Sequence, residues 1–152
     1  MSVEKVKRYF KQWNMEDKVL EFPVSSATVA DAALALGTEE KRIAKTMSFM
    51  LEDRAILIVT AGDARIDNKK YKSYFHKKAA MLKHDEVESL IGHPVGGVCP
   101  FGLENPLSVY CDITLKQYAE VLPAAGAIHS AVRISPDRMA ELTAAKWVDV
   151  CI

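Results

Sequence analysis

The 152-residue chain has few cysteines, no net charge and no long apolar run, and each shortage removes a class of explanation. Its three cysteines, Cys99, Cys111 and Cys151, are widely spaced and form no CxxC. That argues against a disulfide framework and against a zinc site. The four histidines, His76, His84, His93 and His129, have no metal-ligand spacing. No apolar stretch is long enough to cross a bilayer, and the charged opening "MSVEKVKRYFKQW" does not resemble a signal peptide. The expectation is a cytoplasmic domain with no membrane contact. GxSxG, HExxH and a P-loop GK[ST] are all missing, so no side-chain nucleophile is advertised. Lys plus Arg number 20 and Asp plus Glu number 20, so the total charge points to no partner.

What is present is ordinary in amount and uneven in distribution. Apolar residues make up 49% and charged residues 26%, the profile of a globular protein, and the length predicts one domain over 1–152. Val3, Val6, Phe10 and Trp13 predict a first helix, with Ser2 as its cap. "DKVLEFPV" predicts a short strand. "TVADAALALG" predicts a helix capped by Thr28 and stopped by Gly37. "IAKTMSFML" and "AILIVTAG" predict a hairpin. Short helices are expected at "DNKKYKSYF", with Tyr71, Tyr74 and Phe75 on one side, and at "HDEVESLIG". "LSVYCDI" reads as a strand with Val109, Cys111 and Ile113 on one face. "LKQYAEVLPAAG" reads as a helical turn and then a strand. "AIHSAVRI" is a strand, "SPDRMAEL" a helix, and "KWVDVCI" a closing strand. Strands and short helices alternate without a βαβ repeat. The fold class is therefore α+β, with a mixed or largely antiparallel, barrel-like sheet.

Three features can carry chemistry. In "IAKTMSFML", Lys45 shares a face with Ile43, Met47, Phe49 and Leu51, where a buried ammonium needs a partner. It is either a lysine that snorkels to water or a cation fixed at the mouth of a pocket. The stretch "GHPVGGVCPFGLENP" holds four of the chain's seven glycines and three of its six prolines. Its amides at Gly96, Gly97 and Val98 have no bulky side chains before them. They make either a tight structural turn or a set of donors for an oxyanion. From Arg65 to Lys83, seven cations stand against one acid, Asp67. That run is either a solvated helix face or a footprint for nucleic-acid phosphates. Cys99 lies in the glycine-proline loop with no histidine partner evident by spacing, and is read as a small buried thiol.

Together these pieces resemble the YbaK/EbsC (ProX-like) family, the aminoacyl-tRNA editing fold also found as the insertion domain of bacterial prolyl-tRNA synthetases. The resemblance rests on "RIAKTMSF", "ILIVTAGDARIDNKK", "GHPVGGVCPFG" and "AAGAIHSAVRIS", in the family's order, and covers nearly the whole chain. It implies a barrel-like mixed sheet flanked by helices. It implies hydrolysis, in trans, of the ester joining a wrong small amino acid to the 3′-terminal adenosine of a tRNA, with no metal or nucleotide cofactor and no enzyme nucleophile. Mischarged tRNA, an aminoacyl-tRNA synthetase and no DNA are the implied partners. Lys45, Gly96 and Gly97 are the implied catalytic residues. Thr46, Val98, Pro100, His129, Ser130 and Ser26 are the implied substrate contacts, with Ser25 a further polar liner. Phe22 and Ala131 stand where cysteine-removing members carry tyrosine and aspartate, so alanine, serine and threonine esters stay open beside cysteine. The alternative is a non-catalytic module that binds tRNA or an aminoacyl-adenosine-like ligand.

Overall fold

The computed structural model describes residues 2–25, 28–103 and 107–152. Local signals set its helices. In α1 (Ser2–Lys11), Val3, Val6 and Phe10 share one stripe and are all buried. The helix stops before Trp13, whose ring sits edge-on to Tyr9 at 5.1 Å. The cap expected at Ser2 concerns a side chain outside the described set. α2 (Val29–Leu36) begins at Thr28, whose hydroxyl accepts from the Asp31 amide at 3.0 Å, and ends at Gly37. α3 (Asn68–Phe75) is capped by Asp67, and α4 (Val87–Ile91) stops at Gly92. α5 (Pro136–Thr143) has Ser135 as cap and Pro136 in its first turn.

The sheet is built on a hairpin. β1 (Val19–Glu21) comes first, and then β2 (Ile43–Leu51) and β3 (Arg54–Ala61) pair antiparallel, with Leu51 opposite Arg54. β4 (Ser108–Asp112) adds to β3 in parallel. β5 (Leu122–Pro123) adds to the other edge of β2, also in parallel. β6 (Ser130–Val132) pairs with β1, and β7 (Lys146–Val148) lies parallel to β4. The order in the main sheet is β5-β2-β3-β4-β7. Single bridges, Val121 to Ile134 and Ala124 to Ala131, link the β5 segment to the β1-β6 pair. The result is a mixed α+β fold with a curled, half-barrel sheet, as the sequence leads one to expect.

Both faces of the hairpin are covered. Ala44, Leu57, Val59, Val109 and Cys111 enter a core shared with α1, Phe101 and Met139. Phe49, Leu51, Ile56, Ile58 and Tyr110 enter a second core beneath Tyr71 and Phe75 of α3. Each of the Val, Leu, Ile and Phe side chains among these contributes about 1.5–3 kcal/mol on burial, so β2 and β3 form a stiff platform. Two expectations about faces need correction. Tyr74 is 45% exposed while Tyr71 and Phe75 are buried, although its ring stays in T-shaped contact with Phe75 at 4.8 Å and Tyr110 at 6.1 Å. Ile113 is 42% exposed rather than buried beside Val109 and Cys111. The strand ends at Asp112, whose carboxylate accepts from the Thr114 amide at 3.0 Å. That cap starts a 3-10 turn and swings Ile113 outward.

Candidate functional site

The site forms where the edge of β2 is left open. β5 pairs with that edge only at Ile43 and Ala44. Further along, the segment 80–82 takes over: the Met50 amide donates to the Ala80 carbonyl at 2.7 Å, and the Leu82 amide to the Ser48 carbonyl at 3.1 Å. Between these two covers opens a cavity of about 340 Å³. Its walls are mostly apolar, with Val29, Ala32, Ile43, Leu122, Ala124 and Ala131 among them. Lys45, Thr46 and Ser48 of β2 line it on one side, and Gly96 and Val98 of the glycine-proline loop on another. Met81, Leu82, His84 and Val87 complete it, and sequence reasoning missed all four. Nothing local marks them, because they reach the cavity only through the pairing of 80–82 with β2.

Lys45 is half-buried, and its ammonium donates to the Ala64 carbonyl at 2.7 Å. Burial pulls its pKa below the usual lysine value, and Cys151 and Asp63 partly oppose that pull. It is therefore a positioned cation, with one of its three N–H donors engaged. The two faces of β2 do not differ as a greasy and a polar side, since both meet a core.

The loop is held by an interior hydrogen-bond set. His93 is fully buried, and its Nε2–H donates to the Phe101 carbonyl. Cys99 Sγ lies 3.5 Å from that same nitrogen, a pairing that the spacing did not suggest. It is no nucleophile and base. The Nε2 proton is directed at a carbonyl, so that nitrogen has no free lone pair for the thiol, and burial pushes the thiol up to about 12. Burial likewise raises Cys111 and Cys151 to about 12. At pH 8 roughly one thiol in ten thousand is then ionised. Native protein is expected to show no fast-reacting thiol toward a disulfide reagent, and all three after unfolding in guanidinium. A thiol that titrates rapidly in native buffer contradicts this.

The remaining expected residues divide. Gly96 adopts a φ of 89°, which suits glycine, and neither its amide nor that of Val98 has a hydrogen-bond partner among the described residues. Gly97 is a correction. It does not line the cavity, and its amide donates to the Pro94 carbonyl at 2.9 Å, so it has no donor to offer a substrate. Its missing side chain serves packing instead, since a Cβ there falls 2.6 Å from the Ala127 nitrogen. Thr46 lines the cavity, and its buried Oγ1 has no partner among the described residues. Ser130 also lines it, but its hydroxyl accepts from the Ala127 amide and donates to the Ala127 carbonyl, which fixes a turn. Pro100, His129 and Ser25 are not among the lining residues. Ser26 lies outside the described residues. In the basic run, Lys70 is tied to Asp149 and to the Cys151 carbonyl, and Lys77 lies 3.8 Å from Glu52. The run then leads into Leu82 and His84 at the cavity.

Fold and site together define a class: a curled α+β domain with a cavity at the edge of its central hairpin, lined by a lysine and a braced main-chain loop. A sequence profile of the aminoacyl-tRNA editing domain matches residues 24–142. The chain is 49% identical to the YwhH protein of Bacillus subtilis (strain 168), over 99% of this chain and 98% of that one. It is 30% identical to the proline–tRNA ligase of the same strain over 66% of this chain, which is 18% of the ligase. A crystal structure of a candidate trans-editing enzyme for prolyl tRNA synthetase superposes with a TM-score of 0.89 at 32% identity, covering 98% of this chain and 96% of that one. This chain belongs to the aminoacyl-tRNA editing domain family. Among the described residues no helix is long and apolar enough to cross a membrane.

Proposed function

We propose that this chain is a cytoplasmic trans-editing hydrolase that deacylates mischarged aminoacyl-tRNA. It cleaves the ester between a small amino acid and the 3′-terminal adenosine. The observation that carries this reading is the cavity, which joins a positioned lysine to unbonded loop amides in a member of the editing family. An aminoacyl ester is already activated, so catalysis needs orientation and charge stabilisation more than a protein nucleophile. As water or a substrate hydroxyl adds to the acyl carbon, negative charge builds on the carbonyl oxygen. The amides of Gly96 and Val98 have no hydrogen-bond acceptor among the described residues and can take that charge. A single donor of this kind is worth roughly 10²–10³ in rate. Lys45 keeps two N–H donors for the ester or the terminal ribose.

The apolar walls suit a small side chain and carry no acid at Ala131. Such a second sieve is needed because a synthetase gains only about 1–3 kcal/mol from one methylene. The likeness to a candidate trans-editing enzyme for prolyl tRNA synthetase makes proline tRNA the first to test, with that synthetase as the source of the error. Incubation with tRNA mischarged in turn with alanine, serine, threonine and cysteine is expected to release one of them well above the uncatalysed rate. No release from any of the four contradicts the reading. Salt-sensitive tRNA binding without turnover would instead indicate a binding module. The exposed lysines of the 69–83 run favour that second reading.

A further inference from the structure

We propose that the free edge of β2 at Thr46 is the aminoacyl subsite, where the substrate's amino acid docks as a one-residue β-strand through its free α-ammonium and its ester carbonyl. The inference rests on the deacylase reading and narrows the substrate class to esters with an unblocked α-amino group.

In a strand the main-chain groups of successive residues point to opposite edges. Met50 donates to Ala80, and Ser48 accepts from Leu82, so even-numbered residues of β2 aim their N–H and C=O away from β3. Pairing with β3 runs unbroken from Ala44 to Leu51, which carries this orientation to Thr46. β5 covers the edge opposite Ile43 and Ala44, and the 80–82 segment covers it from Ser48 onward. Thr46 is the outward residue between the two covers. Among the described residues, nothing bonds its N–H, its C=O or its buried Oγ1. Main-chain groups inside a protein are nearly always paired. Here an unpaired set stands in the wall of the cavity.

The ligand that satisfies the two main-chain groups has a donor and an acceptor flanking one tetrahedral carbon. An aminoacyl ester is that group: α-ammonium, Cα, carbonyl. In the closely bonded antiparallel arrangement two facing residues exchange both N–H···O bonds. The Thr46 carbonyl then accepts from the α-ammonium, and its amide donates to the ester carbonyl. That carbonyl has a second lone pair for the loop amides. Main-chain pairing of this kind supplies affinity and leaves the side chain for the walls to read. The ammonium bond is charge-assisted, so it is stronger than a neutral one. An N-acylated amino acid, the form at the end of a growing peptide, has one neutral N–H and an added acyl group at this spot, so such esters are refused. Lys45 does not compete for the Thr46 carbonyl, since its ammonium is held at Ala64.

The test uses the whole protein and three esters on one tRNA: the amino acid it removes, the matching α-hydroxy acid, and the N-acetyl amino acid. Each kcat/KM is divided by that ester's uncatalysed rate. The hydroxy ester is expected to fall at least ~10-fold and the N-acetyl ester at least ~100-fold. Thr46→Val, which keeps the main chain, is expected to preserve the ratio of amino to hydroxy ester. Independently, saturating 3′-aminoacylamido-3′-deoxyadenosine, which cannot hydrolyse, is expected to slow hydrogen exchange of the Thr46 amide at least ~10-fold. Hydroxy and amino esters cleaved within threefold of each other would overturn the subsite. So would a ratio that collapses in Thr46→Val, or an unchanged Thr46 exchange rate in protein that still cleaves the aminoacyl ester. In each of those cases the deacylase reading stands. No cleavage of any aminoacyl-tRNA together with no binding of the amide analogue overturns both.

Discussion

Replacing Lys45 by alanine is expected to lower kcat/KM for deacylation at least ~100-fold while the protein stays folded. The reasoning starts from the strand. Lys45 sits on β2 between two cores, so its Cα has little freedom to shift. Its ammonium is anchored to the Ala64 carbonyl, which fixes where the charge lies in the cavity wall. Alanine removes the charge and leaves the platform. The stability change combines a lost hydrogen bond with relief of the burial that lowers the lysine's pKa, so the two partly cancel. A net change within about 1 kcal/mol moves Tm by roughly 2–4 °C for a chain of this size. Lys45→Arg keeps the charge, yet its planar fork does not reproduce a compact ammonium, and only partial recovery is expected. Deacylation by Lys45→Ala within threefold of wild type would remove the lysine from the mechanism.

The second large effect is expected at Gly97. An added Cβ lies 2.6 Å from the Ala127 nitrogen, 2.7 Å from its Cα and 2.7 Å from the Gly126 carbonyl carbon. All three are main-chain atoms, so no rotamer change relieves the clash. The opposing turn is itself held by Ser130, whose hydroxyl bonds both polar groups of Ala127. Either the two loops part or the backbone strains. Gly97→Ala is expected to cost about 2–4 kcal/mol, at or beyond the upper end for overpacking because the neighbours cannot move aside. Displacing Gly96 and Val98 by even an ångström is expected to lower kcat/KM about 100-fold. Gly37→Ala is the control. Its Cβ meets nothing within 4 Å, though a φ of 64° still opposes alanine. It should cost about 1–2 kcal/mol and leave deacylation rates unchanged. Thermal melts and single-turnover deacylation of the two variants, measured together, decide the matter. A Gly97→Ala protein that melts like wild type refutes the packing argument.

The chain's local chemistry was readable without coordinates. Thr28 and Gly37 bracket α2, Asp67 opens α3, and Ser135 with Pro136 opens α5, because capping is settled within four residues of sequence. The hairpin was readable for the same reason: its partners are neighbours in the chain. Lys45 and Gly96 could be singled out by residue type and pattern, and both line the cavity. What failed was whatever depends on a distant partner. Spacing gave no sign that His93 and Cys99 share a carbonyl, or that the Gly97 amide is engaged with Pro94.

Where helices start and stop, and which strands form the hairpin, is legible in the residues alone, since those follow from short-range sterics and hydrogen bonding. That β5 and the 80–82 segment stop short of each other along β2, leaving the Thr46 main chain without a partner among the described residues in the cavity wall, is set by the folded arrangement. A gap between two long-range pairings is a property of where separate segments end in space. Periodicity along the chain reports the face of each strand but not the partner that reaches its edge.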